Sequence, residues 1–127
     1  MSLLLDETAK GVYAIATTPF SESGAIDYES VDTLTDFYLE QGVHGITVLG
    51  VMGEAPKLTD SEQINLMKHY INRVNDRVPV LVGVSNPGID NLVSLSQASM
   101  DAGAQGVMIA GIPSLKTDEQ ILDYFGQ

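Results

Sequence analysis

Residues 45–54 read Gly45-Ile46-Thr47-Val48-Leu49-Gly50-Val51-Met52-Gly53-Glu54, an apolar run that ends in a loop with two glycines. Ile46 to Leu49 are four residues suited to a buried strand, because β-branched and aliphatic side chains pack well in sheets. Gly50 and Gly53 give backbone freedom after that strand, where a side chain would block a close approach by a ligand or a neighbouring chain. The stretch predicts a buried strand followed by a candidate binding loop.

Three further apolar runs predict strands of the same kind, over residues 12–18, 78–84 and 106–110. With the run at Ile46, their onsets recur roughly every 30 residues, a period typical of a repeated strand–helix unit. The run at residues 78–84 is nearly continuous in apolar residues, so we expect that strand to be buried on both faces.

Helical periodicity fills the intervals and predicts helices over residues 28–41, 60–74, 91–102 and 118–125. Asp27, Thr59 and Thr117 stand where N-caps are expected, and Thr59 with Glu62 has capping-box spacing. The first helix is predicted to bury one stripe made of the following apolar residues: Val31, Leu34, Phe37, Tyr38 and Leu39.

Repeated βα units with parallel strands and right-handed crossovers form either half of an eight-unit barrel or a small open sheet covered on both sides. The last predicted helix has only about two turns before Gln127, which favours the barrel. We therefore expect an α/β protein in which residues 1–127 are the N-terminal half of a (β/α)8 TIM-barrel domain, truncated in the fourth helix.

Composition excludes several classes of function. Six Lys plus Arg against seventeen Asp plus Glu give a net charge of −11, which disfavours nucleic-acid and anionic-membrane surfaces. Cysteine is absent and His44 and His69 stand far apart, so a metal site is not predicted and no cofactor is expected. No apolar run approaches the roughly 20 residues of a membrane span, and a cytoplasmic location is the default expectation.

The chain resembles the dihydrodipicolinate synthase and N-acetylneuraminate lyase family over essentially its whole length. The motifs that carry the resemblance are Gly11 to Phe20 with its Thr18-Pro19-Phe20 ending, Gly42-Val43-His44-Gly45 leading into the loop of residues 50–54, and Val78-Pro79-Val80 leading into Gly83. Their order and spacing are more specific than any one glycine loop. The resemblance implies strands one to four of a (β/α)8 barrel.

The same resemblance implies a class I aldolase-type lyase or hydro-lyase, in which a lysine amine forms a Schiff base with pyruvate or another 2-oxo acid. Such an amine must be unprotonated, which burial favours by lowering its pKa. In the family that lysine lies on the sixth strand, beyond this chain. Lys10, Lys57, Lys68 and Lys116 are not expected to replace it, although Lys57 follows the glycine loop. No catalytic residue is therefore predicted, and this chain alone is expected to be inactive.

Two positions depart from the family pattern. Family members commonly carry two threonines in the loop where Val51 and Met52 stand, and synthases carry a tyrosine pair where this chain has Gly111-Ile112-Pro113. The synthase reaction itself is therefore not assigned. Backbone amides around Val51, Met52 and Gly53 can still receive a carboxylate, because that contact needs no side chain.

Substrate binding is predicted for Thr18, Gly50, Val51, Met52 and Gly53. For each, a structural alternative stays open: the glycines as turn residues, Thr18 as an ordinary strand residue and Met52 as core filling. Glu54 is an acid–base candidate, but at such a turn a structural acceptor is the more common role.

Two functions remain at this point. The first is the substrate-binding half of a Schiff-base lyase, with a small 2-oxo acid as partner and a homo-oligomer as its expected assembly. The second is a non-catalytic half-barrel that pairs with itself or with a separate C-terminal half, because open sheet edges are seldom left exposed.

Overall fold

The computed structural model describes residues 5–127 of the chain. Strands and helices alternate in the following order: β1 (Tyr13–Ile15), α1 (Tyr28–Glu40), β2 (Gly45–Val48), α2 (Asp60–Val74), β3 (Val80–Gly83), α3 (Ile89–Ala102), β4 (Gly106–Met108) and α4 (Asp118–Phe125). Two short 3₁₀ turns, Val51–Gly53 and Ala55–Lys57, connect β2 to α2.

The four strands are parallel and lie in chain order, β1-β2-β3-β4. A doubly wound open sheet reverses its strand order part-way, whereas a barrel adds each strand on the same side of the last one. Right-handed crossovers that all advance in one direction place α1, α2 and α3 in one layer, where α2 packs against both neighbours. The arrangement is that of a partial (β/α)8 barrel, and the predicted fold class is confirmed.

The sheet has one face under the helices and one that the helices leave open. Strand register puts Ile46, Val48, Val80 and Val82 on the helix side, where each is at most 3% exposed. The opposite face, called the inner face below, consists of the alternate strand residues: Tyr13, Ile15, Gly45, Thr47, Leu81, Gly83, Gly106 and Met108.

The prediction that the third strand is buried on both faces is wrong for the inner face. Leu81 and Gly83 are only half-buried, while Val80 and Val82 are fully covered by helices. The second strand begins and ends one residue earlier than predicted, and the other three are shorter than predicted. A strand ends where its hydrogen bonds to the neighbouring strand end, whereas an apolar run can continue beyond that point.

Helix boundaries follow the predicted caps closely. Asp27 accepts a hydrogen bond from the Ser30 amide, and Thr59 and Thr117 each form a capping box, with Glu62 and Gln120 respectively. The third helix starts at Ile89 rather than Asn91, after Gly88, which provides no side-chain cap.

The predicted apolar stripe of the first helix is wrong at Phe37, whose side chain is 52% exposed. Thr35 takes its place in the core and satisfies its hydroxyl by donating to the Val31 carbonyl. A hydroxyl that bonds one turn back along its own helix can be buried at little cost, and periodicity of apolar residues cannot detect it.

Polar side-chain contacts on the outer surface join α1 to α2. Both Nε and Nη2 of Arg73 donate to Asp36, at 3.0 and 2.5 Å, and Nε2 of His69 lies 2.7 Å from Oδ1 of Asp32. Within residues 5–127, no helix combines the length and apolar character that crossing a membrane requires.

Candidate functional site

The candidate loop begins where β2 ends, at a strained residue. Leu49 is 4% exposed and has φ +57°, a left-handed conformation that is rare for a bulky side chain. Its carbonyl crosses above Gly83, where a Cβ would stand only 2.4 Å from the Leu49 oxygen. The chain therefore turns sharply over the end of β3. A side chain at position 83 would collide with the Leu49 carbonyl.

Main-chain hydrogen bonds define the loop. The Gly53 amide donates to the Gly50 carbonyl at 3.0 Å, and the Glu54 amide donates to the Val51 carbonyl at 3.1 Å. The N–H groups of Val51 and Met52 precede these two bonds and donate to no backbone or side-chain acceptor in the described part of the chain. Of the amides predicted to receive a carboxylate, those of Val51 and Met52 are available and that of Gly53 is already used.

Thr18 fastens this loop to the end of the first strand. Its hydroxyl donates to the Gly53 carbonyl at 2.6 Å, and its side chain is only 6% exposed. Gly53 also lies close to β1, since a Cβ there would be 3.4 Å from the Ala16 carbonyl oxygen. Thr18 therefore positions the loop, and its hydroxyl proton is committed to Gly53.

Tyr70 supports the same region from behind. It is 1% exposed and donates its phenol proton to the Thr17 carbonyl at 2.6 Å, so α2 holds the end of β1. Burial raises the pKa of the Tyr70 phenol, with a smaller contribution from Tyr38, which keeps the group a neutral donor.

The five predicted binding residues come together at the carboxyl end of the sheet, but they differ in accessibility. Thr18 and Gly53 are buried and Gly50 is half-buried, whereas Val51 is 90% and Met52 54% exposed. Met52 therefore does not fill the core. The loop forms an open surface with two free amides flanked by apolar side chains.

Two concave regions of the described chain lie elsewhere. A groove of about 830 Å³ runs between the C-terminal ends of α1 and α2, at the opposite end of the sheet. A cavity of about 60 Å³ lies between α2 and α3 beside Asn86. Neither is lined by residues of the loop.

Glu54 and the lysines have surface roles. Nζ of Lys57 lies 2.6 Å from Oε1 of Glu54, with 70% of the Lys57 side chain exposed. Lys10, Lys68 and Lys116 are exposed as well. None of the four amines has the desolvated surroundings that an imine-forming lysine requires. Within residues 5–127, no three His, Asp or Glu side chains are grouped closely enough to hold a metal ion.

Of the residues that hold the ends of the strands in place, sequence reasoning singled out only Thr18, as a substrate-binding candidate. Gly83 entered the sequence analysis only as part of a motif, and Tyr70 did not enter it. Ser85 was missed, although its hydroxyl accepts the Ala110 amide at 2.8 Å and joins the ends of β3 and β4. A polar residue directly after an apolar strand is the signal that marks Ser85.

Comparison with known proteins adds to this geometry. The sequence pattern of the dihydrodipicolinate synthetase family matches residues 8–122 of this chain. The chain belongs to this family.

Members of the dihydrodipicolinate synthetase family share both sequence and backbone with the chain. A 4-hydroxy-tetrahydrodipicolinate synthase of Kosmotoga olearia is 35% identical over 100 residues, which cover 79% of this chain and 34% of the relative. The crystal structure of dihydrodipicolinate synthase from Rhodopseudomonas palustris is 53% identical, with a TM-score of 0.90, over 98% of this chain and 41% of that one.

A second family structure is that of YagE, a prophage protein from E. coli K12, in complex with pyruvate. It is 30% identical, with a TM-score of 0.85, over 91% of this chain and 39% of that chain. The chain thus spans about a third to two fifths of the length of its relatives in the dihydrodipicolinate synthetase family.

Proposed function

We propose that this chain supplies the carboxylate-binding wall of a Schiff-base lyase or hydro-lyase that acts on pyruvate or another 2-oxo acid. The observation that carries the proposal is the loop after β2, in which the Val51 and Met52 amides are free at the carboxyl end of the strand. Ligand sites of βα barrels lie at that end of the sheet. The chain would form the first four of eight βα units, and the amine would come from outside these 127 residues.

Free amide N–H groups at the start of a helical turn suit a carboxylate because they donate hydrogen bonds without bringing a charge of their own that water must solvate. The loop that carries them is already ordered, since Thr18 and two main-chain bonds hold it before any ligand arrives. The apolar side chains of Val51 and Met52 beside the amides would limit competing water. Family membership and the pyruvate complex of YagE are the further support for a 2-oxo acid.

The first prediction concerns the amine. When the chain alone is incubated with pyruvate and sodium borohydride, intact-protein mass spectrometry should detect no reduced adduct, because all four lysines are solvated. A stable adduct on any of them would contradict the assignment of the amine to another polypeptide segment. A full-length family enzyme treated in parallel is the positive control for trapping.

The second prediction concerns the amides. Titration with pyruvate, followed by amide chemical shifts, should perturb Val51 and Met52 more than the rest of the chain. Val51→Pro removes one donor and should abolish the response, and it fits locally because Gly50 has φ −80° and ψ −166°, which suits a residue before proline. Val51→Ala keeps the N–H at this position and should keep the chemical-shift response of the Met52 amide. An equal response of the Met52 amide in the two variants would refute the main-chain site.

The alternative of a non-catalytic half-barrel predicts a different outcome of the same titration. It requires no ligand at the loop, so pyruvate would leave the Val51 and Met52 amides unchanged while the chain remains folded.

A further inference from the structure

The inner face of the sheet combines apolar character with absence of charge. None of its eight residues is Asp, Glu, Lys, Arg or His, although the chain carries a net charge of −11. Ile15 is 50% and Met108 47% exposed, and Leu81 and Tyr13 are half-buried. At the amino-terminal end, Leu5 approaches Gly106, where a Cβ would be 3.8 Å from its Cδ2 atom. Ile15 and Met108 on the two edge strands are therefore the apolar side chains of this face most exposed to water, whereas Gly45 and Thr47 on β2 are buried.

Both sheet edges flank this face. β1 pairs only with β2, and β4 pairs only with β3, so each edge strand has one unpaired side in the described chain. Unpaired edges of this kind recruit further strands. At the two ends of the helix layer, Phe37 on α1 and Leu122 and Phe125 on α4 are at least 50% exposed.

We propose that the chain on its own forms a two-fold symmetric dimer, in which β4 of each copy pairs in parallel with β1 of the other. A two-fold axis along the barrel preserves strand direction, so one operation satisfies both edges and buries both inner faces. Four strands from each copy make the eight of a closed barrel. The backbone already has the required curvature, because it superimposes with a TM-score of 0.90 on part of a family barrel.

Charge is compatible with this partner. The four strands contribute no charged residue to the interface, so the acidic side chains of both copies remain on helices and loops. Repulsion between two copies that each carry −11 then acts across the solvent-exposed surface, where salt screens it over about 8 Å at physiological ionic strength. The dimer fraction should therefore rise as salt is added.

This proposal does not depend on the carboxylate site. A second half-barrel that carries the lysine would compete for the same two sheet edges. The proposed dimer therefore applies to the chain when no such half-barrel is present. Failure of the dimer would leave the predicted response of the Val51 and Met52 amides untouched, and the reverse also holds.

Sedimentation equilibrium of the purified chain should give twice its mass of 13.6 kDa. Met108→Lys would place a charge on the inner face and should shift the chain to monomer without loss of helical circular dichroism. Met100→Lys, at a side chain of similar exposure on α3, should leave the dimer intact. A folded monomer of the unchanged sequence would overturn the proposal.

Disulfide trapping tests the arrangement of the strands, because the chain has no cysteine of its own. Ile15→Cys combined with Met108→Cys should give a covalent dimer on oxidation. The two positions in one copy are three strand spacings apart along the sheet, about 14 Å, too far for an internal disulfide. Ala110→Cys in place of Met108→Cys tests a neighbouring register.

Val93→Cys with Met100→Cys is the matched control, since both side chains are about half-exposed on α3. It should remain uncrosslinked under the same oxidation. Equal trapping of the control pair, or a dimer in which neither β1–β4 pair forms a disulfide, would show that copies associate by another surface and would overturn the proposal.

Discussion

At Gly83, the absence of a side chain lets β3 pass beneath the carbonyl of Leu49. The same turn places Leu49 at φ +57°, and a left-handed residue with a bulky side chain costs roughly 1–2 kcal/mol. Hydrogen bonds from Thr18 and within the loop offset that strain. The candidate loop therefore depends on a small number of contacts, each of which can be removed separately.

Gly83→Ala tests the close approach. The added Cβ would lie 2.4 Å from the Leu49 oxygen and 2.9 Å from its carbonyl carbon, so backbone must move. We expect the free energy of unfolding to fall by roughly 1–3 kcal/mol, measured from denaturant midpoints. Gly111→Ala is the control, because a Cβ there meets nothing within 4 Å. Similar midpoints for the two variants would show that the Leu49 turn does not press on β3.

At the scale of elements, α1 and α2 are joined at their outer surface by the pair Arg73–Asp36. The Arg73 hydrogen bonds hold the pKa of the Asp36 carboxyl below its ordinary value of 3.8. A carboxyl whose pKa is lowered by folding stabilises the native state above its ordinary value, and this contribution disappears as the pH falls through the lowered pKa. Both groups are near solvent, so the effect is small and sensitive to salt.

Asp36→Asn should therefore reduce the loss of stability on acidification from about pH 5 to about pH 2. Chemical denaturation at several pH values measures that dependence. In an Arg73→Met background the same substitution should change the pH dependence much less, because the guanidinium that lowers the pKa is gone. An undiminished effect in that background would assign the acid sensitivity to another partner of Asp36.

At the scale of the whole molecule, four parallel strands in chain order carry one layer of helices and present an uncharged inner face. In relatives of the dihydrodipicolinate synthetase family, the part that matches this chain is 34–41% of their length. The two proposals follow from this shape: a ligand loop at the carboxyl end of the strands, and edges that accept four more strands.

Much of the fold followed from the sequence because its causes are local. Side chains that accept backbone hydrogen bonds at Asp27, Thr59 and Thr117 begin helices wherever they occur, and strand onsets roughly every 30 residues specify βα units. The grouping of Thr18 with the loop of residues 50–53 was also predictable, since carboxyl ends of parallel strands meet at one edge. All four lysines are exposed, and the expectation that none of them forms the imine stays a prediction.

Tertiary structure decided what depends on contacts between distant residues. Only folding brings Gly53 against Thr18, so sequence could not tell that the Gly53 amide and the Thr18 hydroxyl are committed while the Val51 and Met52 amides are free. It also decided that Leu81 lies on an open face, since the apolar run of β3 is the same whether one face or both are covered. Local sequence patterns indicate which side chains avoid water, whereas the residues that cover those side chains are set by the tertiary structure.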